Sequence, residues 1–182
     1  MFDKFQLVRL KTDSNLSPFD CSDDDLNDFF LNDSISHLEQ LLSVTYAIEN
    51  EEENRTIAFF SLLNDKISVE DLESGNQFKK LFKAKFPARK KFKSYPAIKI
   101  GRLGVCKDHQ NEGIGTTILD YIKELFISNN RTGCRFVTVD AYKESLKFYE
   151  RNGFIYITKS DNNLDTRLMY CDLKKEVLLT DA

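Results

Sequence analysis

The spacing of apolar residues changes period along the chain, and each change marks an element. Residues 6–10 alternate polar and apolar as an opening strand does, and residues 15–19, with Pro18, read as a turn. Ser22 with Asp25 three residues later has the form of a capping box. Leu26, Phe29, Phe30, Ile35, Leu38 and Leu42 then recur near helical spacing. The pattern predicts two short helices with a break around Asn32. Residues 44–48 and 56–63 are apolar, β-branched and aromatic runs on either side of the acidic stretch 49–54, which predicts an antiparallel hairpin with an exposed loop. Residues 68–86 carry a patchy helical pattern that stops at Pro87.

The second half is patterned more sharply. Residues 97–105 predict a buried strand interrupted by Gly101 and Gly104, and glycine inside a strand marks a bulge or a close approach of a ligand to the backbone. A loop over 106–113 leads into a helix over 114–128 with Ile114, Ile118, Leu119, Ile122, Leu125 and Phe126 on one face. Residues 136–141 predict a strand, 145–152 a short helix stopped by Gly153, 154–158 a strand and 166–173 a closing strand. Strands mixed with helices in this order give an α/β (α+β) chain with a single mixed central sheet flanked by helices. No repeat or linker interrupts it, so residues 1–182 read as one domain.

Composition narrows the class. With 41% hydrophobic and 30% charged residues and only 7 Gly and 3 Pro, the chain is neither disordered nor fibrous. The first ten residues mix Asp3, Lys4, Gln6 and Arg9 among apolar ones and lack the apolar core of a secretory signal. No run reaches membrane-spanning length. Cys21, Cys106, Cys134 and Cys171 are scattered with no C-x-x-C pair, which fits four small buried residues in a reducing, cytoplasmic setting rather than a metal centre or disulfide framework. The net charge of -3 gives no global attraction to nucleic acid, yet eight basic residues and no acidic one lie between Lys79 and Lys93.

The sequence Gln110-Asn111-Glu112-Gly113-Ile114-Gly115 joins a strand to a helix start. Glycines let the backbone pass close to a ligand, and the free N–H groups of a first helical turn favour an anion such as pyrophosphate. The pattern is neither the dinucleotide fingerprint nor a Gly-Lys-Ser/Thr P-loop, and the residues alone also fit a plain turn with a loose cap. Cys106, Asp108 and His109 make a thiol–imidazole cluster by spacing, read as incidental because the segment leads into the glycine loop. His37 reads as a helix-surface residue.

The glycine loop after residues 100–105, together with Phe148-Tyr149-Glu150-Arg151-Asn152-Gly153-Phe154 downstream, resembles the GNAT superfamily of N-acetyltransferases, over about residues 98–154. The resemblance implies a strongly twisted sheet whose two central strands, 97–105 and 136–141, splay into a slot for the pantetheine of acetyl-CoA, with a coenzyme-binding core over about 97–158. It implies coenzyme contacts from Leu103, Gly104 and Val105 and from Gln110, Asn111, Glu112, Gly113, Ile114, Gly115 and Thr116, with Ser145 added, and no metal. Tyr149 is implied as the general acid that protonates the departing thiolate. Its phenol, with an ordinary pKa of about 10 against about 8.5 for a thiol, is a donor at neutral pH. Relatives that place a glutamate base on the strand before the loop have no counterpart here, since residues 97–105 offer only Lys99 and Arg102 as charged side chains.

Pro18-Phe19-Asp20-Cys21 through Phe30, Gly101-Arg102-Leu103 and residues 148–154 are similar to the branch that includes toxins acetylating aminoacyl-tRNA. Three functions follow as expectations. They are acetyl transfer to a small-molecule or protein amine, acetylation of charged tRNA held through Lys79 to Lys93, and a non-catalytic acyl-CoA-binding module. A homodimer is left open, and no membrane partner is expected.

Overall fold

The computed structural model describes residues 5–72, 93–128, 132–158 and 165–180. Seven strands among them form one sheet in the order β1-β2-β3-β4-β5-β7-β6, flanked by helices. The chain packs as two compact units, one from Met1–Leu63 and Ile100–Leu125, the other from Asn64–Lys99 and Phe126–Ala182.

In the first unit, β1 (Gln6–Arg9) pairs antiparallel with β2 (Val44–Asn50), and β2 pairs antiparallel with β3 (Arg55–Ser68) across the expected hairpin, with a register shift between Ile48 and Glu49. The helical segment differs from expectation. Its cap is Asp23, one residue beyond Ser22, and the Asp23 carboxylate accepts from Leu26 N–H at 3.0 Å. Ser22 instead takes φ 66. Beyond α1 (Asp24–Asp28) the chain stays helical through a π turn, Phe29–Asp33, into α2 (Ser34–Glu39), so the break expected around Asn32 is a wide turn. That turn leaves the neighbours Phe29 and Phe30 both buried. Phe30 stacks on Phe59 at 4.8 Å between ring centroids, and Phe19 meets both edge-on at 5.3 and 5.1 Å. Each such buried ring stabilises the fold by about 1.5–3 kcal/mol. α2 ends in a Schellman cap with Leu41 N–H on Leu38 O, Leu42 N–H on His37 O, and Leu41 at φ 58.

β3 runs past the expected end at Leu63, through the polar interruption of exposed Asn64, half-buried Asp65 and exposed Lys66, to the buried Ile67 and Ser68. Ser68 then caps a single 3-10 turn, Val69–Asp71, rather than opening a longer helix. The rest of the expected 68–86 helix, and the basic run up to Arg89, Lys90 and Lys91, lie outside the described residues.

The second unit holds β5 (Phe136–Tyr142), α4 (Leu146–Arg151), β6 (Ile155–Tyr156) and β7 (Thr166–Asp172), with β7 antiparallel to both β5 and β6. Its core gathers Ile67, Leu72, Ala97, Phe136, Ile157 and Tyr170. α5 (Leu173–Thr180), absent from the sequence expectation, is capped by Asp172, whose carboxylate accepts from Lys174 N–H at 3.2 Å. The signal was Asp172 followed by Leu-Lys-Lys-Glu, an N-cap before a good helix former, hidden behind the apolar run of β7. β4 (Ser94–Val105) lends residues to both units.

Candidate active-site elements

In the first unit β4 delivers the chain to the loop, and the loop delivers it to α3 (Ile114–Ser128). Cys106 closes β4 with its N–H on Ile57 O at 2.7 Å, a 3-10 turn spans Lys107–His109, and Gln110 is extended. Two left-handed residues follow at alternate positions, Asn111 at φ 67 and Gly113 at φ 84. A side chain at Gly113 would find no heavy atom within 4 Å, so it faces open space. Thr117 N–H makes the first helical bond, to Gly113 O at 3.0 Å, which leaves the amides of Ile114, Gly115 and Thr116 without helical acceptors. Alternating left-handed residues ahead of free helical amides make an anion-binding concavity at the positive end of the helix dipole. Pyrophosphate fits that donor set.

The side chains of the loop serve other ends. Glu112 meets His109 Nδ1 at 3.0 Å and brings negative charge, so a bound anion gains from its backbone alone. Gln110 Nε2 donates to Cys21 O and Val105 O, both at 3.3 Å. Leu103 and Val105 are half-buried at the end of β4.

The glycines of β4 have an internal explanation. A Cβ on Gly104 would stand 2.9 Å from Phe59 Cε1 and 3.1 Å from Phe19 Cζ, and one on Gly101 would stand 2.7 Å from Leu63 Cδ2. Packing of the unit's own side chains accounts for the absence of a Cβ at both positions. The two charged side chains of β4 are engaged as well. Arg102 pairs with Asp25 at 3.3 Å and lies over the Phe29 ring at 5.2 Å, while in the second unit Lys99 pairs with Asp140 on β5.

The thiol–imidazole cluster does not form a nucleophile pair. Cys106 is fully buried, and both ring nitrogens of His109 face carboxylates, Nδ1 that of Glu112 and Nε2 that of Glu53 at 4.0 Å. His37 is half-buried and sets its ring edge against Phe29, 5.1 Å between centroids, so it packs rather than lying on the helix surface.

In the second unit Tyr149 sits on α4 with 6% exposure, between Phe148 at 5.0 Å and Phe154 at 5.3 Å. Gly153, at φ 84, ends the helix in a Schellman cap that returns Phe154 N–H to Tyr149 O. The aromatic spacing of the motif therefore clamps the tyrosine from both sides. Burial raises its phenol well above the ordinary tyrosine value. Ser145, just before α4, gives its hydroxyl to Tyr142 O at 3.2 Å. Sequence reasoning missed a cavity of about 300 Å³ in this unit, lined in part by Asp65, Pro96, Phe126 and Cys134. It rests on the polar interruption in β3, where the Asp65 carboxylate also accepts from Thr138 Oγ1. Among the described residues no group of three or more His, Cys, Asp or Glu is placed to hold a metal, and no helix is long and apolar enough to cross a membrane.

Residues 82–156 match the acetyltransferase (GNAT) domain family. No curated protein matches the chain. Among solved structures, a tyrosine-to-phenylalanine mutant of KacT has 20% identity, 97% coverage of this chain and 99% of its own, and a TM-score of 0.77. AtaTR bound with acetyl-CoA has 21% identity, 98% and 99% coverage, and a TM-score of 0.75. AtaT complexed with acetyl-methionyl-tRNAfMet has 20% identity, 97% and 99% coverage, and a TM-score of 0.73. At these identities the likeness is one of fold, and it runs through nearly the whole chain.

Proposed function

We propose, from the match of residues 82–156 to the acetyltransferase (GNAT) domain family, that the chain moves the acetyl group of acetyl-CoA onto the α-amine of an aminoacyl-tRNA. The coenzyme part rests on the loop, where Asn111 and Gly113 turn left-handed before the free amides of Ile114, Gly115 and Thr116. Those amides hold the pyrophosphate, and the backbone of Leu103, Gly104 and Val105 receives the pantetheine. Tyr149 donates the proton that the departing thiolate takes up. Its buried, aromatic setting keeps the phenol protonated throughout the working range of pH.

The acceptor class rests on what β4 lacks. Residues 94–105 contain no carboxylate, and the two cations there are ion-paired, so the strand supplies no base to deprotonate an ammonium group. An α-amine, with a pKa of about 7.7–8.0, is about a third neutral near pH 7.5, whereas a lysine-type amine at about 10.4 is neutral in about one molecule per thousand. An acceptor that arrives already neutral suits this site, and a charged tRNA presents such an amine. AtaT, a structural neighbour over 97% of this chain, is seen with an acetylated aminoacyl-tRNA. In this reading residues 1–182 act as one catalytic domain in the cytoplasm, and Lys79 to Lys93 meet the phosphate backbone.

The test offers radiolabelled acetyl-CoA and purified protein to charged tRNA, to a panel of amino acids and polyamines, and to whole-cell protein. Label on charged tRNA, lost when the amino acid is stripped off, supports the reading. Label only on polyamines or lysine side chains refutes the acceptor class, and coenzyme binding without transfer to anything refutes catalysis.

A further inference from the structure

The residues from Phe19 to Cys21 lie alongside the segment that leads from β4 into the glycine loop, and they touch it at three evenly spaced positions. Phe19 fills the space beside Gly104, its Cζ 3.1 Å from where a Cβ would stand. Asp20 holds Lys107 twice, its carbonyl accepting from Lys107 N–H at 3.0 Å and its Oδ2 from Lys107 Nζ at 2.7 Å. Cys21 offers its carbonyl to Gln110 Nε2 at 3.3 Å. Consecutive residues of the strap thus meet residues 104, 107 and 110.

The strap is itself held in shape. Asp20 Oδ1 accepts from Ser22 N–H at 2.9 Å and from Asn27 Nδ2 at 3.2 Å. Asn27 Oδ1 accepts from Cys21 N–H at 2.9 Å and lies 3.2 Å from Cys21 Sγ. Asn27 belongs to α1, so the strap is tied to a helix, and Phe19 pins it to the aromatic core. The Asp20 carboxyl is held down to about 2, chiefly by Lys107, then by Ser22 N–H and Asn27, so it is fully ionised at neutral pH.

We propose that this strap sets the position of the coenzyme cradle, with Asp20 as the positioning residue that fixes Lys107 and, through the neighbouring Cys21–Gln110 contact, the start of the 110–116 loop. The inference rests on the coenzyme reading of that loop. It assigns a role in coenzyme binding to residues well outside the 82–156 region that matches the family. A preorganised donor set binds its anion more tightly than one that must be ordered on binding, and the strap supplies that order in the free protein.

The experiment compares wild type, Asp20→Asn and Lys107→Met in two measurements: amide hydrogen exchange of residues 107–116 without ligand, and the Kd for CoA by calorimetry. Lys107→Met removes only the exposed half of the clasp, so it folds where Asp20→Asn fails to. The expected result is faster exchange at 110–116 in both variants and CoA binding weakened about tenfold in Asp20→Asn and less in Lys107→Met. The thermal midpoint of Lys107→Met stays within a few degrees of wild type. Unchanged exchange overturns the proposal. Faster exchange with wild-type CoA affinity also overturns it, since the strap then holds a loop that the coenzyme does not read. If wild type itself shows no CoA binding, the coenzyme reading fails and carries this inference down with it, an outcome recognisable from the wild-type titration alone.

Discussion

Asp172 and Arg135 form the most buried ion pair among the described residues of the second unit: Asp172 Oδ2 accepts from Arg135 Nη2 at 3.1 Å, and Oδ1 lies 2.9 Å from Nε in an ionic contact. The carboxylate side chain is 5% exposed and the guanidinium 19%. The pair sits where three backbones meet, for Arg135 N–H reaches Pro96 O and Leu173 N–H reaches Arg135 O. Replacing Asp172 with Asn removes the negative charge from this largely buried pair, and destabilisation of about 2 kcal/mol is expected, less than for a fully enclosed pair because Arg135 reaches some solvent. Asp172→Ala also removes the cap of α5 and costs about 1 kcal/mol more. Urea denaturation of the two variants checks both values.

Tyr149→Phe removes the hydroxyl that the proposed mechanism uses as its proton donor, without changing the ring that packs between Phe148 and Phe154. Turnover is expected to fall by about 10²-fold, with CoA affinity nearly intact. Because burial raises the phenol's pKa, the acid form persists as pH rises. Wild-type kcat therefore shows no downward limb from Tyr149 up to at least pH 10, and any loss below that belongs to another group. A pH series of single-turnover rates reads this directly.

The glycines divide into two kinds. Gly104→Ala drives a Cβ into the Phe59 and Phe19 rings and is expected to cost about 1–3 kcal/mol of stability. Gly113→Ala meets no neighbour but strains a residue at φ 84, costing about 1 kcal/mol while weakening CoA binding more than Gly104→Ala does. Thermal melting and CoA titration of the two variants separate packing from cradle.

Leu41 occupies the left-handed position of the α2 cap with its side chain 91% exposed. Glycine there gives up almost no buried surface and relieves the strain, so Leu41→Gly is expected to raise stability by about 0.5–1 kcal/mol. Denaturant midpoints at constant m-value test it.

Much of this architecture was legible because strong periodicity and turn chemistry agree. The helix 114–128 and the hairpin around 49–54 show this, since the former carries an apolar face and the latter separates two strand-like runs. The Gly153 stop worked for the same reason: a left-handed cap after an aromatic helix has few alternatives. What failed depended on contacts distant in sequence. The packing reason for the glycines of β4 was hidden because the side chains that fill their space, Leu63 at Gly101 and the Phe19 and Phe59 rings at Gly104, lie far away along the chain. β3 looked finished at Leu63 because three polar residues mask its buried end. In the loop, the backbone arrangement of Asn111 and Gly113 followed from residue type, whereas the hold of Asp20 on Lys107 spans a separation that no local pattern records.

The π turn at Phe29–Asp33 amounts to a phase slip in an otherwise continuous helix. One extra residue in the turn rotates everything after it by about 100° relative to an uninterrupted α-helix. Ile35 reaches the core that holds Phe29 and Phe30 only because of that rotation. The helix therefore behaves as a gear with one tooth added: its length is set by the residue count on either side of the slip, and a single deletion within 29–33 would turn the second half of the stripe away from the first.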